Sequence, residues 1–190
     1  MSKNKSKRRF PAFWVGWTAL ILLLSGCGQL VEFLPRLPGL DAPVAEPPDP
    51  RVAAQSPAIA EMEAEIWQRI NEIRQQHGLN DLQNNERLAQ IARDYSQTMA
   101  RKNFFSHTGP DGSTPAQRVR AGGINYLVVG ENLFRGRNIP NPVSVSVKGW
   151  MNSPGHRENI LRPVFNQTGI GIWRQGNTYY ITQLFLRSLF

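Results

Sequence analysis

The chain has 190 residues, with 22 Lys and Arg against 14 Asp and Glu, a formal net charge of +8 and a pI near 10.2. That length suits one domain with appendages and supplies enough apolar material to bury a core, while a single cysteine excludes a disulfide framework within one copy. The charge raises nucleic-acid binding, but five of the cations, Lys3, Lys5, Lys7, Arg8 and Arg9, precede residue 27 with no acid among them, leaving 17 basic against 14 acidic residues. The basic character is largely that of a leader, and no nucleic-acid partner is expected.

Residues 1–26 read as a secretory signal: a basic start, an apolar run from Phe10 to Leu24 that is short for a spanning helix, then Leu24-Ser25-Gly26-Cys27. This leader resembles those of bacterial lipoproteins. The resemblance implies that Cys27 is acylated, becomes the mature N-terminus and binds the chain to a membrane through palmitate-type chains. The reading places the remainder outside the cytoplasm, at a cell membrane or outer membrane and facing periplasm or exterior. Gly28, where the enterobacterial retention signal would have aspartate, points to the outer membrane in an organism that has one.

Residues 27–58 hold seven of the fourteen prolines, all in the stretch after Gly28, and cannot sustain a helix or a central strand. They form a stiff tether that, at about 3.1 Å per residue, reaches up to roughly 90 Å. The third region, 59–190, is the folded domain, with Ser56-Pro57 at its opening.

Within it, Ile59, Met62, Ile66, Ile70 and Ile73 recur at helical spacing, and His77-Gly78 marks the stop, with His77 as a helix-end or surface group. A second helix is predicted from Glu86 to Lys102, burying Leu88, Ile91, Ala92, Tyr95 and Met99. Residues 103–113 are dense in turn formers. Thr114-Pro115 then caps a short helix that ends at Gly122-Gly123. A β-branched stretch from Tyr126 to Phe134 follows, Asn141-Pro142 starts another helix, and strands near 168–174 and 178–186 close the chain as a hairpin around Gln175-Gly176-Asn177. Helices first and a sheet completed late give an α+β layered domain, not a doubly wound parallel sheet.

Three polar groups stand out in apolar or turn-rich surroundings: His107 after Phe104-Phe105-Ser106, Glu131 in Gly130-Glu131-Asn132-Leu133, and His156 after Pro154-Gly155, at the start of a helical turn. Each has a structural alternative, as a satisfied hydrogen-bonding group or a cap. Together, two imidazoles and a carboxylate can hold a zinc ion or polarise a carbonyl. Other chemistries fare worse. His156-Arg157-Glu158 has the His-x-Glu pattern of zinc deaminases without their Cys-x-x-Cys, and Glu158, two places along a helix, points away from His156. Ser106 and Ser153 neighbour histidines, but no Gly-x-Ser-x-Gly elbow is present.

Phe105-Ser106-His107, Thr114-Pro115-Ala116-Gln117-Arg118, Gly130-Glu131-Asn132-Leu133, Trp150 through Leu161, and Gly169-Ile170-Gly171 occur in that order. These motifs resemble the CAP domain, also called the SCP-like domain, in its bacterial branch, over about residues 60 to 188. The resemblance implies a three-layer α-β-α sandwich with a cleft lined by two histidines and two acids, which carry onto His107, Glu131 and His156. The interval from His156 to Gly169 is thirteen residues, as in eukaryotic members, and Asn159 falls where those have glutamine. Their second acid corresponds to Ser153, in a shortened segment. Ser106, Asn132, Ser153 and Asn159 are secondary cleft candidates.

Two functions follow as expectations. The first is a lipid-anchored module that binds a lipid, a cell-wall component or a protein, consistent with the family's largely non-enzymatic picture. The second is a zinc-dependent hydrolase of the cell envelope, with His107 and His156 as ligands and Glu131 as general base.

Overall fold

The computed structural model describes residues 53–189. The leader, Cys27 and most of the predicted tether lie outside the described residues.

Helix α1 (Pro57–Gln76) starts where Ser56 Oγ accepts from the Ile59 amide, with proline in the first turn, and stops at His77 and Gly78, the glycine at a φ of 70°. Its inward stripe is Ile59, Ile66 and Ile70, with Met62 and Ile73 at the margin. After the two-residue strand β1 (Gln83–Asn84), Asn85 caps α2 (Glu86–Arg101), which buries Leu88, Ala92, Tyr95 and Met99. Helix α3 (Pro115–Ala121) begins with a full capping box between Thr114 and Gln117. Strand β2 (Tyr126–Arg137) runs three residues beyond its predicted end, because Arg135 and Arg137 keep pairing across to Tyr180 and Thr178. Helices α4 (Pro142–Asn152) and α5 (Pro154–Leu161) meet at Ser153, and β3 (Gln167–Gln175) and β4 (Thr178–Ser188) form the predicted hairpin.

The sheet order is β1-β3-β4-β2, parallel between β1 and β3 and antiparallel elsewhere. Alternation along the strands divides the core. Ile170, Ile172, Ile181 and Phe185 pack with α1, α4 and α5, whereas Leu184, Leu186 and Tyr180 pack with α2 and α3. Helices on both faces of a mixed sheet make the predicted α-β-α sandwich. Among the described residues the three apolar clusters run from Ala54 to Leu186, a hydrophobic core of the kind with which a domain can fold alone.

Three details fix the geometry. A Cβ on Gly169 or Gly171 would overlap the α2 backbone, at Ala89 N and at Arg93 N respectively, so these glycines let α2 lie directly on β3. Arg74, 1% exposed, donates to the carbonyls of Asn80, Ile160, Arg162 and Phe165, which ties α1 to both ends of the segment that follows α5. Side chains also finish the sheet's margins. Glu63 accepts from Ile172 N, and Gln55 both accepts from Arg174 N and donates to Arg174 O. On β2, Trp150 Nε1 donates to Leu133 O and Asn159 Nδ2 to Glu131 O.

Candidate functional site

Glu131 and Asn132 are neighbours on β2, so their side chains leave opposite faces of the sheet. That alternation builds the site in two halves.

On the α2 and α3 side, the Glu131 carboxylate is 2% exposed and accepts twice, from His107 Nδ1 at 2.7 Å and from Arg118 Nη2 at 2.7 Å. Arg118, from the last turn of α3, lies flat over the Tyr95 ring with its Cζ 3.4 Å from the centroid. Its remaining terminal donors hold the His107 and Ser113 carbonyls at 3.2 and 2.8 Å, and its Nε is buried without a partner. The Tyr95 hydroxyl donates to Ser106 O at 2.7 Å, and burial raises its pKa from the ordinary phenol value. The loop carrying His107 is thus gripped from below at three carbonyls. A carboxylate can only accept, so His107 Nδ1 donates to it and the ring directs its Nε2 outward, with 55% of the side chain exposed.

On the other side, Asn132 is fully buried and donates from Nδ2 to His156 O at 3.1 Å, while Asn159 Nδ2 donates to Asn132 Oδ1 at 3.0 Å. The pair holds the first turn of α5, and with it the half-buried His156. The His156 ring makes no hydrogen bond among the described residues. Its pKa lies below the ordinary value, first because burial disfavours the cation and second because His107 repels it. The two imidazoles therefore sense each other across the β2 edge, and His156 is neutral at neutral pH.

Of the predicted residues, His107 and Glu131 are joined directly, His156 is brought within electrostatic reach, and Asn132 and Asn159 form its support. Ser106 Oγ accepts from the Thr108 amide in a local turn, and Ser153 joins α4 to α5 with no side-chain cap on the latter. Glu158 lines a groove of about 610 Å³ along α5, together with Met151, Arg157 and Leu161. Arg118 and Tyr95 are the residues that sequence reasoning passed over. Arg118 stood inside a quoted motif, but an arginine in the last turn of a helix reads as a dipole partner.

A zinc ion suits this donor set poorly. Catalytic zinc sites use three protein ligands. Here two imidazoles are available, both Glu131 oxygens are engaged, and no group of three or more His, Cys, Asp or Glu converges in a metal-holding arrangement among the described residues. The residues present do not fit a catalytic zinc centre.

The domain is thus an α-β-α sandwich with a histidine-bearing loop and a histidine-bearing helix on either side of one edge strand. The sequence matches the family model described as CAP: Cysteine-rich secretory protein family over residues 67–185, and the chain belongs to that family. Its only cysteine, Cys27, falls outside the matched residues.

Among curated relatives, the uncharacterized protein YkwD of Bacillus subtilis is 37% identical over 152 residues, covering 73% of this chain and 57% of that protein. The uncharacterized membrane protein YlbC of the same organism is 31% identical over 125 residues, covering 66% of this chain. The chain spans little more than half the length of the first and 34% of the second. Among solved structures, an extracellular protein containing an SCP domain from Bacillus anthracis superposes with a TM-score of 0.62 at 28% identity, covering 72% of this chain and 45% of that one. An outer surface protein from Borrelia burgdorferi gives 0.62 at 25% identity, covering 67% of this chain and 93% of its own. No helix among the described residues is long and apolar enough to cross a membrane.

Proposed function

We propose that this protein is an extracytoplasmic binding module: a CAP domain held at a membrane by a lipidated Cys27 on a proline-rich tether, engaging its ligand through the cleft of His107, Glu131 and His156. The ligand is a small lipid, a cell-wall component or a protein. One observation carries the reading. Glu131, the group that would act as general base in a hydrolase, has both oxygens committed to His107 and Arg118, so it serves to hold an imidazole in place. What remains open to a ligand is the outward Nε2 of His107 and the neutral ring of His156, which can donate and accept hydrogen bonds without taking charge. The descriptions of the Bacillus anthracis and Borrelia burgdorferi proteins as extracellular and outer surface proteins support the location.

Two experiments test this. Labelled palmitate should enter wild type and not Cys27→Ala, which should either leave the membrane or keep its leader; a processed, membrane-retained Cys27→Ala chain sinks the anchor. For the cleft, zinc titration by calorimetry should give no tighter binding to wild type than to the His107→Ala/His156→Ala double variant. Tight stoichiometric binding by wild type alone would put the hydrolase ahead of the binding module.

A further inference from the structure

At the end of the sheet where β3 turns into β4, arginines gather over an aromatic floor. Trp173, Tyr180 and Arg135 are cross-strand neighbours in one row, on the face turned to α2, and Arg137 follows two residues along the same face. Arg101, at the C-terminus of α2, stands over the Trp173 ring with Cζ 5.9 Å from its centroid, and Arg135 stands 5.2 Å over Phe105, which is 41% exposed. Arg101, Arg135 and Arg137 are all exposed, and none forms an ion pair among the described residues. Lys102 lies beside them but within electrostatic reach of Asp111, which offsets it.

Three guanidinium groups without an ion pair among the described residues repel one another, and an anion arriving there relieves that repulsion. The aromatic centre selects the kind of anion. The guanidinium groups of Arg101 and Arg135 lie over Trp173 and Phe105, joining cationic and aromatic groups in one surface, which matches the level of lipid headgroups above acyl chains. The cations are spread around that centre over roughly two strand spacings, about 10 Å, instead of following a line as a nucleic-acid backbone requires. We infer that this platform docks the domain on the anionic phospholipid headgroups of a bilayer, with Arg101, Arg135 and Arg137 as the contacts and Phe105 as the apolar tip. The inference does not depend on which ligand the cleft takes. It gives a lipid-anchored chain the second, electrostatic signal that turns weak membrane attachment into stable attachment.

The test uses the self-contained body, residues 53–190, so that the leader cannot mask the result. Co-sedimentation is measured with phosphatidylcholine vesicles and with vesicles also containing phosphatidylglycerol. Wild type should bind only the anionic vesicles and be released by salt. Each arginine contributes roughly fivefold, so Arg101→Gln/Arg135→Gln/Arg137→Gln should weaken binding on the order of a hundredfold while near-ultraviolet dichroism stays unchanged. Phe105→Ser, at an exposed position, should weaken it further without unfolding. Equal sedimentation of wild type and triple variant with anionic vesicles overturns the inference, as does preference of the wild type for duplex DNA over those vesicles at the same salt.

Discussion

Replacing Glu131 by alanine should damage the fold far more than replacing the histidine it holds. The carboxylate is 2% exposed and is, among the described residues, the one anionic partner of Arg118, whose side chain is 11% exposed. Without it the guanidinium keeps its bonds to the His107 and Ser113 carbonyls but loses its counter-charge in a poorly hydrated place, and breaking a buried pair in this way costs about 3–5 kcal/mol. His107 is more than half exposed, so water replaces it at Glu131 and His107→Ala should cost about 1 kcal/mol or less. Urea denaturation of residues 53–190 at neutral pH measures both. The expected gap of at least about 2 kcal/mol is a large share of the roughly 5–15 kcal/mol that holds a domain together. A cycle with Arg118→Met adds a check, because removing the cation as well should restore part of the loss. Should the two single variants lie within about 0.5 kcal/mol of each other, Glu131 is not the electrostatic centre of this site.

Three other outcomes are expected. The His156 imidazole should titrate below its ordinary value of about 6.5, and His107→Ala should raise its midpoint by lifting the repulsion. Because the unfolded chain takes up this proton first, His156 stabilises the fold fully above about pH 6.5, and that share falls away as pH drops toward the folded midpoint. Proton NMR gives the midpoint, and one at or above 6.5 contradicts the burial argument. Gly171→Ala, which places a methyl group in the α2 backbone, should cost about 1–3 kcal/mol or more in thermal unfolding, while Gly155→Ala, with open space around it, should cost little. Arg74→Met should lose about 3 kcal/mol, since four carbonyls lose a shared donor, and a loss under about 1 kcal/mol would mean water satisfies them.

Much of the architecture is written in local patterns. The isoleucine stripe of α1, the Thr114–Gln117 capping box and the turn at Gly176 each act within a few residues, so the sequence displays them directly. Strand β1 does not show, because Gln83 and Asn84 are polar, exposed and become a strand only by pairing with Gln167 and Thr168 far along the chain. The site was legible to the same extent. His107, Glu131 and His156 stand out by type and setting, and their motifs name the family. What joins them does not stand out. Arg118 matters through the face of β2 that Glu131 happens to occupy, and Asn132 through the opposite face, a division that depends on register across three strands. Gly169 and Gly171 illustrate the converse, since a motif that identifies the family turns out to be a seat for α2.

The side chains that finish the sheet's margins bear on how this domain avoids self-association at the high local density that the proposed membrane anchor would impose. An open strand edge is a template for another chain, and two-dimensional confinement multiplies the encounters that lead to strand addition. Trp150 and Asn159 occupy carbonyls of β2, and Gln55 and Glu63 occupy amides of β3 with polar groups that a neighbouring strand would have to displace. Asn159 thereby joins two duties, steadying the helix that bears His156 and shielding the sheet from self-association, so a change there that loosens that helix also exposes the chain to aggregation.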